Sequence, residues 1–143
     1  MDTKPILLVE DNPDDVELTI MALEQSRVTN EVVTVGDGVE ALDYLFGTGD
    51  FAGRDTRVMP QVILLDLNMP RMNGLEFLRR IRADAKTRLL PVVVLTTSNE
   101  DIDRIESYNL GANSYVRKPV NFHQFVEAIH QLGLYWTVLN KTV

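Results

Sequence analysis

The chain contains no cysteine, which excludes disulfides, thiolate zinc sites and thiol nucleophiles. It is also short of positive charge: Lys and Arg number 14 against 21 Asp and Glu, a formal net charge of -7. Such an acidic surface argues against nonspecific nucleic-acid binding and against docking on anionic lipid. No apolar run approaches the ~20 residues that a membrane span needs. Residues 1–5 lead straight into a short apolar run, with no stretch suited to a signal peptide. What remains is ordinary globular usage, 45% hydrophobic and 24% charged over 143 residues. That is enough for one domain with its own core, and the expectation is a soluble cytoplasmic protein of a single domain, residues 1–143.

The informative pattern is a set of apolar runs that end abruptly on reactive side chains. Val62-Ile63-Leu64-Leu65 stops at Asp66, Ile6-Leu7-Leu8-Val9 at Glu10-Asp11, Val92-Val93-Val94-Leu95 at Thr96-Thr97, and Ser114-Tyr115-Val116 at Arg117-Lys118-Pro119. Unbroken apolar segments of this length read as strands buried on both faces. They alternate with helical patterns, as in a doubly wound α/β fold with a parallel sheet. The expected strands lie near 5–9, 31–35, 61–65, 91–95 and 114–116, and the helices near 13–27, 37–46, 74–84, 99–109 and 121–139. Asn12 before Pro13, Asp37 with Glu40, Asn73 before Gly74, Ser98 before Asn99, and Asn121 with Gln124 mark helix starts. Asp14 and Asp15 suit the positive end of the first helix dipole. Two segments exceed a minimal plan. Residues 47–59 form a long Gly-rich connection, read as a surface insertion, and residues 133–143 prolong the last helix.

If the strands are parallel, their C-terminal ends share the edge where open α/β sheets bind ligands. Asp11 and Asp66 could then supply hard oxygen ligands to one magnesium ion, with Glu10 assisting. A carboxylate whose charge is offset in this way can attack phosphorus, so Asp66 is the candidate nucleophile. Lys118 would balance the incoming charge and the Thr96 hydroxyl could bond a phosphoryl oxygen. Taken singly, each residue has a blander reading: an acid as a turn or cap, Thr96 as a β-favouring residue, Lys118 as a solvated charge. Their joint occurrence at four strand ends favours the phosphoryl site.

These motifs closely resemble the receiver domain of bacterial two-component response regulators. The resemblance spans Glu10-Asp11, Asp66 within Leu65-Asp66-Leu67-Asn68-Met69-Pro70-Arg71-Met72-Asn73-Gly74, Thr96, and Lys118-Pro119. It implies a flavodoxin-like five-stranded sheet of order 2-1-3-4-5 with five helices. It implies Asp66 as phosphoacceptor for a sensor histidine kinase, and magnesium ligands from Asp11, Asp66 and the Asn68 carbonyl, with Glu10 assisting. Thr96 would be the switch hydroxyl, Tyr115 its aromatic partner, and Lys118–Pro119 a cis peptide. The face of helix 4, strand 5 and helix 5 would change on phosphorylation, signalling to an unknown downstream protein. Ser98 occupies a position that varies in the family and influences dephosphorylation. With no output domain after the fifth helix, the chain resembles a stand-alone receiver. Its long loop and aromatic tail resemble the small receivers that partner bacterial phytochrome histidine kinases.

Alternatives from other classes are a magnesium-dependent aspartyl-phosphate phosphatase, a flavodoxin-like cofactor carrier and a nonphosphorylated docking module. The phosphatase would need an Asp-x-Asp motif after the first strand, where this chain has Glu10-Asp11-Asn12-Pro13. The carrier would need a phosphate-cradling first loop, which Asp11, Asp14 and Asp15 oppose. Finally, Phe122, Phe125, Ile129, Leu132, Trp136 and Leu139 recur at helical spacing. Past Gly133 the helix should outrun the sheet, so Tyr135, Trp136 and Leu139 are expected to form a homodimer interface.

Overall fold

The computed structural model describes residues 4–26, 28–97, 99–107 and 109–131. Five strands, β1 (Ile6–Val9), β2 (Val32–Val35), β3 (Val62–Asp66), β4 (Val92–Thr96) and β5 (Ser114–Arg117), form one parallel sheet of order β2-β1-β3-β4-β5. Five helices alternate with them: α1 (Pro13–Gln25), α2 (Gly38–Phe46), α3 (Gly74–Ala83), α4 (Asn99–Ser107) and α5 (Phe122–Gln131). This is the flavodoxin-like order expected. No helix among the described residues is long and apolar enough to cross a membrane.

The core explains why the central strands lack alternation. Every residue of β1, β3 and β4 is buried, whereas β2 and β5 keep exposed positions at the sheet edges. Side chains still alternate between two faces. Leu7, Val9, Ile63, Leu65, Val92 and Val94 pack beneath α2, α3 and α4 with Leu45, Phe77, Ile81 and Ile105. Ile6, Leu8, Val62, Leu64, Val93 and Leu95 pack on the other side against Leu23 of α1 and Phe125 of α5. Each buried aliphatic side chain contributes roughly 1.5–3 kcal/mol before conformational entropy is counted.

Boundaries moved by a residue in an instructive direction. Asp66, Thr96 and Arg117 are the last paired residues of their strands, with Asp66 opposite Leu95 and Thr96 opposite Arg117. Asp66 and Thr96 are therefore fixed by the sheet ladder, while Glu10, Asp11 and Lys118 follow directly after β1 and β5. Side-chain caps start the helices as expected. The Asn12 side-chain oxygen Oδ1 accepts from the backbone N–H groups of Asp14 (2.8 Å) and Asp15 (3.2 Å), and the side-chain oxygens of Asp37, Asn73 and Asn121 do the same for the N–H groups of Glu40, Glu76 and Gln124. Asp37 is also paired with Arg71 at 2.8 Å; burial opposes ionisation there, but the backbone bond to Glu40 and the Arg71 guanidinium hold its carboxyl below the usual range.

The segment 47–59 is more ordered than a surface insertion requires. Gly49–Phe51 form a 3-10 turn, and the Phe51 ring meets Tyr44 edge-on at 5.2 Å. Arg54 lies over the other part of that aromatic pair, 4.0 Å from the Tyr44 ring centre, and donates to the Tyr44 and Val58 carbonyls. The segment is thus tied to α2 through one arginine and one tyrosine. The expected tail over 133–143, with Tyr135, Trp136 and Leu139, lies outside the described residues, as do Ser98 and the side chains of Phe122 and Ile129.

Gly74 shows how tightly the loop after β3 closes. A Cβ there would sit 2.4 Å from the Asp66 carbonyl oxygen and 2.8 Å from Leu67 Cα, both backbone atoms that cannot swing aside. Gly74→Ala should therefore cost about 1–3 kcal/mol in urea denaturation. A loss below half of that range would mean that the loop yields without strain.

Candidate functional site

The carboxyl edge of β1, β3 and β5 forms an open crevice of about 450 Å³ lined by Glu10, Asp11, Asp15, Asp66, Asn68 and Lys118, among others. Alternation along the strands explains which side chains meet. Glu10, Asp66 and Lys118 keep the parity of Leu8, Leu64 and Val116, which belong to the face covered by α1 and α5. Lys118 Nζ lies 3.1 Å from Glu10 Oε1, 2.9 Å from Asp15 Oδ2 and 3.2 Å from Asp66 Oδ1. The Lys118–Pro119 peptide preceding α5 is cis.

Charge in the crevice is unbalanced. Glu10, Asp11, Asp15 and Asp66 face one ammonium among the lining residues. Burial raises the Glu10 carboxyl to about 7; the Asp66 charge adds to this and Lys118 opposes it. The Glu10 contact with Lys118 is an ion pair off hydrogen-bond alignment, so buried Oε1 has no hydrogen bond. Burial likewise raises the Asp66 carboxyl, against the pull of Lys118 and of the Asn68 backbone N–H. Burial alone would depress Lys118, yet its ion pairs with Asp15 and Glu10 and the charge of Asp66 hold its ammonium above the usual lysine value.

The donor set suits a hard divalent cation. Oxygen atoms from Glu10, Asp11 and Asp66 lie within 4.8 Å of one another, and a buried carboxylate oxygen there lacks a hydrogen bond. A few carboxylates on an open, water-accessible rim fit magnesium better than a closed protein cage would. Asn68 stands at the same crevice, with its side chain exposed.

Thr96 belongs to the other face. It follows the parity of Val94, is 2% exposed, and donates its hydroxyl proton to Asp101 Oδ2 in the first turn of α4 at 3.0 Å. Tyr115 is half-buried on the same side, against the core beneath α4. Burial and the Glu106 charge push the Tyr115 phenol up.

Sequence reasoning missed two partners. Asp15 was read as a dipole-compensating residue of α1, but it makes the shortest of the Lys118 contacts. Its position could have signalled this: a helix that follows a parallel strand starts at the carboxyl edge, so its first turn borders the crevice. Asp101 had the same signal, but spacing does not say which of several acids in α4 meets Thr96.

Residues 6–130 match the family described as the response regulator receiver domain. The solved bacteriophytochrome response regulator RtBRR is 55% identical, with a TM-score of 0.90 over 97% of this chain and 83% of its own. Response regulator Rcp1 of Synechocystis sp. is 35% identical over 133 residues, 93% of this chain and 88% of its own. Its Mn(2+)-bound crystal structure has a TM-score of 0.72, at 35% identity over 93% of this chain and 92% of that one. The phosphorylated cyanobacterial phytochrome response regulator RcpA is 41% identical, with a TM-score of 0.75 over 94% of each chain.

The raised Glu10 carboxyl has a signed consequence for stability. Without added metal, Glu10 contributes stability that is fully present below pH 4.5 and lost as pH rises through about 7, because the folded state holds the proton more tightly. The loss should reach about 3 kcal/mol. Urea titrations in chelator between pH 5 and 8 should show this slope in wild type and a much flatter one in Glu10→Gln. Equal slopes would rule out Glu10 as the source.

Proposed function

The chain belongs to the response regulator receiver domain family, and from that premise we propose that it accepts a phosphoryl group from a sensor histidine kinase onto Asp66. Receiver domains are signalling proteins rather than classical enzymes, and they bind magnesium at an acidic pocket. The observation that carries the reading is the meeting of Asp66 with Lys118 at 3.2 Å inside an acid cluster that lacks positive charge.

An Asp66 carboxylate oxygen attacks phosphorus of the kinase phosphohistidine. The phosphorus–oxygen bond forms as the phosphorus–nitrogen bond breaks, and the imidazole leaves with the bonding pair. A magnesium ion held by Asp11, Asp66 and the Asn68 carbonyl, with Glu10 assisting, would offset the carboxylates and polarise the phosphoryl oxygens. The Lys118 ammonium, already poised among carboxylates, takes up a phosphoryl oxygen as a charge-assisted partner. Thr96 donates its hydroxyl to another, and Tyr115 moves into the space that Thr96 vacates. The face of α4, β5 and α5 changes as a result, assisted phosphorylation and self-dephosphorylation setting how long the change lasts.

The identity with RtBRR supports a bacterial phytochrome histidine kinase as partner, and the cited form of RcpA supports phosphorylation in such a regulator. The Mn(2+)-bound form of Rcp1 supports a divalent cation as a ligand of this chain. The apolar repeat that includes Trp136 and Leu139 supports a homodimer through residues 133–143.

Small phosphodonors should label Asp66 only with magnesium present, and Asp66→Asn should remove the label. Undiminished labelling of that variant at another residue would overturn the assignment. Thr96→Ala should still take up phosphate, but its backbone NMR shifts over residues 99–130 should respond weakly. A full response would uncouple Thr96 from the switch. In sedimentation, wild type should associate as concentration rises and Trp136→Ala should not; a wild type that stays monomeric refutes the dimer.

A further inference from the structure

The Thr96 hydroxyl is committed before any phosphoryl group arrives. It donates to Asp101 Oδ2 at 3.0 Å, although the sheet register places Thr96 next along β4 from the Asp66–Leu95 pair. A carboxylate acceptor makes this a charge-assisted bond, stronger than one to a neutral oxygen. The connection between β4 and α4 is held from the other side as well. Arg117, opposite Thr96 in the ladder, donates to the Thr97 carbonyl at 3.1 Å and to the Asn99 side-chain oxygen. Thr96, the start of α4 and the end of β5 are thus one hydrogen-bonded unit.

Asp101 also has somewhere to go. Together with Leu67, Asn68, Asn73, Leu75 and Arg104 it lines a cavity of about 50 Å³ between the loop after β3 and α4. That space admits water, and Arg104, one helical turn along, also lines it. A carboxylate that loses the Thr96 proton donor can therefore turn into the cavity and remain solvated. A second position for Asp101 in that space would make the Thr96 bond a two-state contact rather than a fixed brace.

Resting on the phosphoacceptor reading above, we propose that Asp101 is a positioning residue that holds the Thr96 hydroxyl in the unphosphorylated chain and competes with the phosphoryl group on Asp66 for it. Asp101 is not among the residues that line the acidic crevice, and its proposed action runs through Thr96 alone. Removing it makes the hydroxyl available and shifts the population towards the phosphorylated arrangement.

The test is equilibrium binding of beryllofluoride, a phosphoryl mimic, with magnesium, followed by NMR titration. Asp101→Ala should bind roughly five- to tenfold tighter than wild type, the equivalent of one hydrogen bond. Asp101→Ser, too short to reach Thr96, should behave likewise and guards against a folding artefact in the first variant. Asp101→Asn keeps an acceptor oxygen without the charge and should fall between Asp101→Ala and wild type in affinity. In a Thr96→Ala background the substitution of Asp101 should change nothing. The latch is overturned if Asp101→Ala and Asp101→Ser bind as wild type does. It is also overturned if the gain persists without Thr96, or if Asp101→Asn matches Asp101→Ala, since either result assigns the effect to charge alone. Failure of the phosphoacceptor reading looks different: wild type and Asp66→Asn would then be equally blind to the mimic, and the latch would fall with it.

Discussion

The Lys118 ammonium, shared between Glu10, Asp15 and Asp66 at 3.1, 2.9 and 3.2 Å, is the contact on which the arrangement of the crevice depends. Three acids drawn from β1, α1 and β3 could not stay this close at a buried rim without a cation among them. One ammonium is nevertheless too little. The Glu10 carboxyl is driven up to about 7 and the Asp66 carboxyl is also raised, chiefly by burial. The resting site therefore stores an unmet demand for positive charge. In the proposed function a divalent cation would answer that demand and let the cluster tolerate a phosphoryl group.

Strand alternation then divides the work between the two faces of the sheet. Glu10, Asp66 and Lys118 share the side covered by α1 and α5, while Thr96 and Tyr115 share the side covered by α3 and α4. Asp66 and Thr96 are each the last paired residue of adjacent strands, a single ladder step apart. The sheet is rigid and fully buried at its centre, so the mobile parts are left to the connections around it. The β4–α4 connection is where Thr96, Asp101 and Arg117 make their bonds. In the proposed function, this connection is where chemistry on one face would reach packing on the other.

Much of the site was legible because its signals are local. A run such as Val62-Ile63-Leu64-Leu65 can only be a strand buried on both sides, and Asn12-Pro13 or Asn73-Gly74 can hardly be other than helix starts. Asp15, Asp101 and Arg54 were less legible. Each is a charged residue on an element with other charges nearby, and its neighbours in sequence do not reveal its neighbour in space. Asp15 meets a lysine far along the chain. Arg54 turned a glycine-rich stretch that reads as loose into one anchored on Tyr44.

The sequence by itself determined the alternation of strands and helices, the caps that begin the helices, and which reactive residues end the strands. These follow from hydrophobic period and from backbone hydrogen bonding over a few residues, which act within reach of the local chain. Tertiary structure alone decided that Lys118 is shared among three acids, that Asp15 is one of them, and that the Thr96 hydroxyl rests on Asp101. Those choices depend on strand order, register and the depth of burial at the carboxyl edge. They are settled only when the sheet closes and distant charges must find partners in the same desolvated space.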